Sequence, residues 1–154
     1  MRLQHHTEIN CSPDQLWPWL TEPDKQKQWM HSVISNEPTS EPVNEVGSTF
    51  LMKIKEGKRV TDYNGTITTF DRPRKLGVKL VGGCGKGPPM EMQVDYALTD
   101  LGGRTRLDYD ADWATKGFLM RLFTPLMYVM GKLFIKKFFK SLKTLAEEEP
   151  VAVA

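Results

Sequence analysis

The chain has 154 residues, 40% of them hydrophobic and 26% charged, with 21 basic against 19 acidic side chains for a net charge of +2. That length suits one ordinary domain able to bury roughly two-thirds of the surface its unfolded form exposes, and the composition excludes disordered and fibrous classes for the body of the chain. The slight basic excess does not fit a nucleic-acid surface. Two cysteines without metal or disulfide spacing, behind an N-terminus with no apolar leader core, lead us to expect a reducing, cytoplasmic setting.

Residues 2–10, RLQHHTEIN, have the look of a first strand, and CSPDQLWPWL then starts a helix with Ser12 as N-cap and Pro13 at the first helical position. TEPDKQKQW suggests a second short helix, capped by Thr21 and ending at Trp29 and Met30. A weak strand near Val33–Asn36 and a loop rich in proline follow.

The next stretch alternates apolar and polar side chains with the period of half-buried antiparallel strands. Phe50, Met52 and Ile54 share one face, and Glu56-Gly57-Lys58 makes a hairpin turn. Tyr63, Gly65 and Ile67 face inward in the next strand; after the turn DRPR come Leu76, Val78 and Leu80, closed by the glycine-rich hairpin GGCGKGPP. Met90, Met92, Val94, Tyr96 and Leu98 then oppose Glu91, Gln93 and Asp95, and Leu107, Tyr109, Ala111 and Trp113 oppose Arg106, Asp108, Asp110 and Asp112.

From Lys116 to Glu147 the pattern is that of one long helix. At about 100° per residue, Met120, Phe123, Met127, Met130, Phe134, Phe138, Leu142 and Leu145 fall in one broad arc, with Lys132, Lys136, Lys140 and Lys143 on the opposite side. Ten uncharged residues, interrupted by Pro125, separate Arg121 from Lys132, too few for a span of about twenty, so the helix is not expected to cross a bilayer. Its lysine stripe is expected to be a solvated face, with contact to anionic lipid as the less favoured alternative. The expected architecture is α+β: an antiparallel sheet of about seven strands gripping a long terminal helix, two short helices after the first strand, one domain over residues 1–148 and a disordered tail over 149–154.

This order, with SPDQLWPWLTEPDKQKQW near the start, the YNGTI strand and DRP turn, and KGFLMRLFTP with KKFFKSLKTLAEE at the end, resembles the START-like (SRPBCC) superfamily, particularly its polyketide cyclase/dehydrase branch of small bacterial proteins. The resemblance implies a helix-grip fold in which a curved sheet wraps the terminal helix around a cavity. It also implies a hydrophobic or amphipathic small-molecule ligand of lipid, polyketide or isoprenoid type.

Under that resemblance the inward-facing Phe50, Met52, Tyr63, Met92, Tyr96, Tyr109 and Trp113, with Phe123, Met127 and Met130 of the helix, are the candidate ligand contacts. The same side chains would also serve as plain core. Three interior phenols would each need a partner, which a ligand carbonyl, a trapped water or another side chain could supply.

Signals for catalysis are weaker. One of His5 and His6 must point outward while the other can reach the concave side, and no histidine or carboxylate is clearly placed as a base. Asp108, Asp110 and Asp112 spread along one strand face about 7 Å per step, a spacing that suits outer-face basic partners better than a metal. GGCGKG lacks the following Ser or Thr and helix of a phosphate loop, and Cys84 has no neighbouring base. No cofactor or metal is expected, and carrier, cyclase-like enzyme and membrane-associated lipid or quinone accessory protein remain as functional readings; the oligomeric state is left open.

Overall fold

The computed structural model describes residues 2–83, 89–114, 122 and 124–148. Strand β1 (Arg2–Ile9) leads into helices α1 (Pro13–Thr21) and α2 (Pro23–Trp29). Strands β2 (Val33–Pro38), β3 (Thr49–Glu56), β4 (Arg59–Asp71), β5 (Lys75–Gly83), β6 (Pro89–Asp100) and β7 (Thr105–Ala114) follow, and helix α3 (Thr124–Glu148) ends the described chain. All seven strands form one antiparallel sheet in the order β1-β7-β6-β5-β4-β3-β2, so only the β1–β7 pairing joins elements distant in sequence. This is the α+β helix-grip architecture.

Local chemistry explains most boundaries. Ser12 Oγ accepts a hydrogen bond from Gln15 N at 3.2 Å and Pro13 occupies the first helical turn, which satisfies one otherwise unpaired donor at the start of α1. The second helix differs from expectation. Thr21 ends α1, its hydroxyl donating to Trp17 O at 3.1 Å, and Glu22 caps α2 with Pro23 next in line. Proline at 23 fixes the start of α2 whichever side chain precedes it, and the threonine found a better acceptor one turn back.

The expected inner faces of β4 to β7 are the buried ones, because each strand has one wet and one dry side. Helix α3 packs less symmetrically. Its close backbone neighbours among the described residues are β1, α2 and α1, so it lies over one end of the sheet. Phe139, Leu142 and Ala146 are its buried residues, joined by the half-buried Ile135, Phe138 and Leu145.

The arc expected from periodicity is therefore rotated. Met130 is exposed and Met127 only half-buried, while Phe139, outside the expected arc, sits at the centre of the contact. The lysine stripe is displaced with it. Lys132 Nζ donates to Gln4 O at 2.6 Å and Lys143 Nζ to Glu8 O at 3.0 Å, so two of the four lysines lash the helix to β1 rather than standing free in water. The start of the expected helix at Lys116, most of the GGCGKGPP loop with Cys84, and the tail after Glu148 lie outside the described residues. Among the described residues no helix is long and apolar enough to cross a membrane.

Candidate functional site

Sheet register assembles the site in rows. Phe50, Gly65, Leu80, Met92 and Trp113 stand side by side across β3 to β7, and Met52, Tyr63, Gly82 and Met90 form the next row. A Cβ on Gly65 would collide with the Phe50 ring, and one on Gly82 with the Tyr63 ring. Both glycines thus let an aromatic ring of the neighbouring strand lie down on the sheet, lowering the floor instead of raising a side chain into the interior.

Above that floor is a cavity of about 830 Å³ between the sheet, α2 and α3. Phe50, Met52, Leu80, Met92, Tyr96 and Tyr109 line it from the sheet, and Trp29, Met30, Phe134, Ile135, Phe138 and Phe139 from the helices. Its existence follows from the offset of α3: among the described residues its close backbone neighbours are β1, α2 and α1, so it covers the β1 end of the sheet and leaves space over β3 to β5, where Trp17 of α1 reaches Phe70. Among the lining residues Glu22, Val43, Lys55 and Phe134 are also exposed, and they mark where the cavity meets solvent.

The structure thus brings Phe50, Met52, Met92, Tyr96, Tyr109 and Trp113 together on one cavity wall. Tyr63 is buried with Val33, Met52 and Leu80 but does not line the cavity, its ring being spent on Gly82. Met127 and Met130 do not line it either, a consequence of the rotation of α3, and Phe123 lies outside the described residues.

Sequence reasoning missed the contributions of Trp29, Met30 and Phe139. Trp29 is fixed by its indole, which donates to Trp19 O at 2.8 Å, and by its stacking on Phe139 with ring centres 5.6 Å apart. Gln26 donates to Leu20 O at 2.6 Å and accepts from Asn36 Nδ2 at 2.7 Å, tying α2 to both α1 and β2. The one available signal was the pair of adjacent phenylalanines, 138 and 139, of which a helix can aim at least one inward.

The interior is poor in ionisable groups. Of the described lining residues only Glu22, Lys55, Tyr96 and Tyr109 can titrate, and the first two are at the exposed margin. Tyr96 and Tyr109 face each other with ring centres 5.4 Å apart, and burial pushes both phenols above their ordinary range, so both stay protonated. Neither hydroxyl bonds to another described residue. No buried polar side-chain atom among the described residues lacks a partner, so these two oxygens face open space rather than packed protein. Such a pair can donate hydrogen bonds to an acceptor; it cannot act as a base.

His5 is the histidine that turns inward, stacked on Phe139 at 5.3 Å, and burial with the nearby Lys132 lowers its pKa. It is half-buried against Phe139 and does not line the cavity. The aspartates of β7 are engaged on the outer face: Asp110 takes hydrogen bonds from Arg2, which hold its carboxyl below the usual range, and Asp108 pairs with Arg106 at 3.2 Å.

A long terminal helix gripped by an open antiparallel sheet around a lined cavity defines the SRPBCC, or Bet v 1-like, superfamily. Within it the chain belongs to the Activator of Hsp90 ATPase homolog 1-like family, whose sequence model matches residues 10–122. No curated protein matches in sequence.

Solved structures share the fold across almost the whole chain. The protein MLL2253 from Mesorhizobium loti aligns with a TM-score of 0.75 at 17% identity, covering 98% of this chain and 100% of that one. Ara h 8.0201 aligns with a TM-score of 0.75 at 12% identity, covering 97% and 99%. DynU16, a protein of the dynemicin biosynthetic locus, aligns with a TM-score of 0.67 at 16% identity, covering 96% of this chain and 47% of that one.

Proposed function

We propose that this protein binds one hydrophobic or amphipathic small molecule, of lipid, polyketide or isoprenoid type, in the cavity between sheet and α3. The observation that carries this reading is an apolar space of about 830 Å³ closed on one side by packed aromatics and lined by two phenols with no hydrogen-bond partner among the described residues. Small-molecule sites commonly occupy about 300–1,000 Å³ and pair an apolar lining with a few placed polar groups.

Burial supplies the affinity. A ligand with some 300 Å² of apolar surface gains up to about 7 kcal/mol at roughly 25 cal/mol per Å², before the cost of association, which sets micromolar binding as a reasonable ceiling. Tyr96 and Tyr109 would orient a carbonyl or hydroxyl of the ligand by donating to it. The absence of an interior base among the described lining residues favours a carrier over an acid–base enzyme, and a cytoplasmic carrier is the simplest setting.

A cyclase-like activity is the second reading, favoured by the same two phenols: neutral donors aimed into a shaped cavity can polarise a carbonyl and hold a chain in a reactive fold. In that case the proton must be removed by water or by a group of the substrate.

Two measurements test the reading. Organic extraction of the purified protein followed by mass spectrometry should return a bound apolar molecule, and 1-anilinonaphthalene-8-sulfonate should fluoresce on binding to the stripped protein. Met92→Trp, which fills the middle of the wall, should abolish both while leaving the thermal transition in place. Dye binding unchanged in a folded Met92→Trp protein overturns the proposal.

A further inference from the structure

We infer that the first half of α3 is a docking face for anionic lipid membranes. Leu126, Val129 and Leu133, with Leu122 ahead of them, are spaced by four, three and four residues, which puts them in one line on the helix. The line is about 16 Å long at roughly 1.5 Å per residue. All four are more than half exposed: 66% for Leu122, 58% for Leu126, 56% for Val129 and 64% for Leu133. They point away from Ile135, Leu142 and Ala146, the residues that seat α3 on the rest of the protein. Scattered single apolar residues on a surface need no account, but four large aliphatics in register on the outward side of one helix do.

Charge selects the occupant. One turn further along, the same outward side carries Lys136, Lys137 and Lys140, all exposed, and α3 has no acidic residue before Glu147. Two copies pairing through this stripe in parallel would bring lysine against lysine with no carboxylate on the stripe to answer them. A surface with negative headgroups over an apolar interior matches both halves at once: the leucines enter the acyl boundary and the lysines meet the headgroups, as in helices that lie in the membrane plane.

The stripe also borders the cavity. Phe134 is 51% exposed on the outside and lines the cavity on the inside, so docking through α3 brings the cavity margin to the bilayer. Docking itself does not depend on the cavity being a ligand site.

Flotation with phosphatidylcholine vesicles, with and without phosphatidylglycerol, tests this in the intact chain. Binding is expected to the phosphatidylglycerol vesicles at low salt and to be roughly tenfold weaker on phosphatidylcholine alone or at high salt. The combined Leu126→Ser, Val129→Ser and Leu133→Ser protein should lose binding by a similar factor. So should Lys136→Glu with Lys137→Glu and Lys140→Glu, each checked for an unchanged circular dichroism spectrum. Met92→Trp should float like the unaltered protein, which separates docking from ligand binding. Failure to float at low salt overturns the inference, as does equal binding to neutral vesicles. A dimer in light scattering that the serine changes dissolve also overturns it, because it makes a second copy the occupant.

Discussion

The two ends of the sheet are built from the same kind of strand and end up in opposite states. At the β1-β7-β6 end, Leu3, Tyr96, Leu107, Tyr109 and Ala111 are covered by α1, α2 and the second half of α3 in one continuous core. At the β3–β5 end, Val33, Met52, Tyr63 and Leu80 form a second, smaller buried cluster, and Val33, Met52 and Leu80 border the cavity. Alternation alone does not distinguish the two, since Met52 and Leu80 obey the same inside–outside pattern as Leu107 and Ala111. The difference comes from where α3 lies: Lys132 and Lys143 lash it to β1, and Gly131 and Ala146 on its inner side let it approach closely, with Leu3 only 3.6 Å from where a Cβ on Gly131 would be.

That contrast is most sharply tested at Phe139. Its ring stacks on His5 and Trp29 and meets the edge of Tyr109 at 5.2 Å, so Phe139→Ala removes the centre of the filled end. Denaturant unfolding should show a loss of about 3–5 kcal/mol. A matched pair comes next. Leu142 and Leu80 are both buried, at 0% and 5% exposure, and lose the same atoms on truncation. Leu142→Ala opens a new void among packed neighbours and should cost toward the upper part of the roughly 2–5 kcal/mol range. Leu80 already faces open space on one side, so Leu80→Ala should cost about 2 kcal/mol or less. Equal losses would mean that the cavity end is as tightly packed as the other.

The strands were legible because one wet and one dry face leave a period of two that nothing else mimics, as in MEMQVDYAL and TRLDYDADW. Six of the ten candidate contacts met on one wall for that reason: a correct inner face plus antiparallel register brings Phe50, Met92 and Trp113 into one row. Helix α3 was legible as a helix but not in its rotation. Leu126, Met127, Val129, Met130, Leu133 and Phe134 spread over about 160° of the helix surface at roughly 100° per residue, so the first turns offered one broad apolar face, and only the tertiary contacts with β1 set which side of the helix turned inward. Tyr63 was placed correctly on the inner face, but that its ring would lie across Gly82 depends on a glycine one strand away. The lining by Trp29 and Met30 depends on how α2 docks, which no local period encodes.

His5 offers a smaller effect confined to the filled end. Burial and then Lys132 lower its pKa in the folded protein, so below roughly 6.5 the unfolded chain binds a proton that the folded chain resists. Stability contributed by neutral His5 is intact above that value and declines as pH falls through it toward the lowered folded value. Unfolding free energy measured from neutral to mildly acidic pH should fall in the unaltered protein, and His5→Phe should flatten that decline while keeping the stack on Phe139. A pH profile identical in the two proteins would place His5 in solvent.

The smallest stability effect is expected at the boundary between the two ends, where Tyr96 and Tyr109 join the packed core through their rings and the cavity through their hydroxyls. The rings touch each other and Tyr109 touches Phe139, so the carbon framework belongs to the filled end. Neither oxygen has a partner among the described residues, so Tyr96→Phe and Tyr109→Phe delete nothing the folded protein uses and should change stability by no more than about 0.5 kcal/mol. Ligand affinity should respond instead, falling roughly tenfold for a molecule that accepts a hydrogen bond from the phenol and not at all for a pure hydrocarbon. A loss of stability above about 1.5 kcal/mol without ligand would show that the hydroxyl is held by a structural water, and would move the boundary so that the phenols count with the core and the cavity begins at Met92.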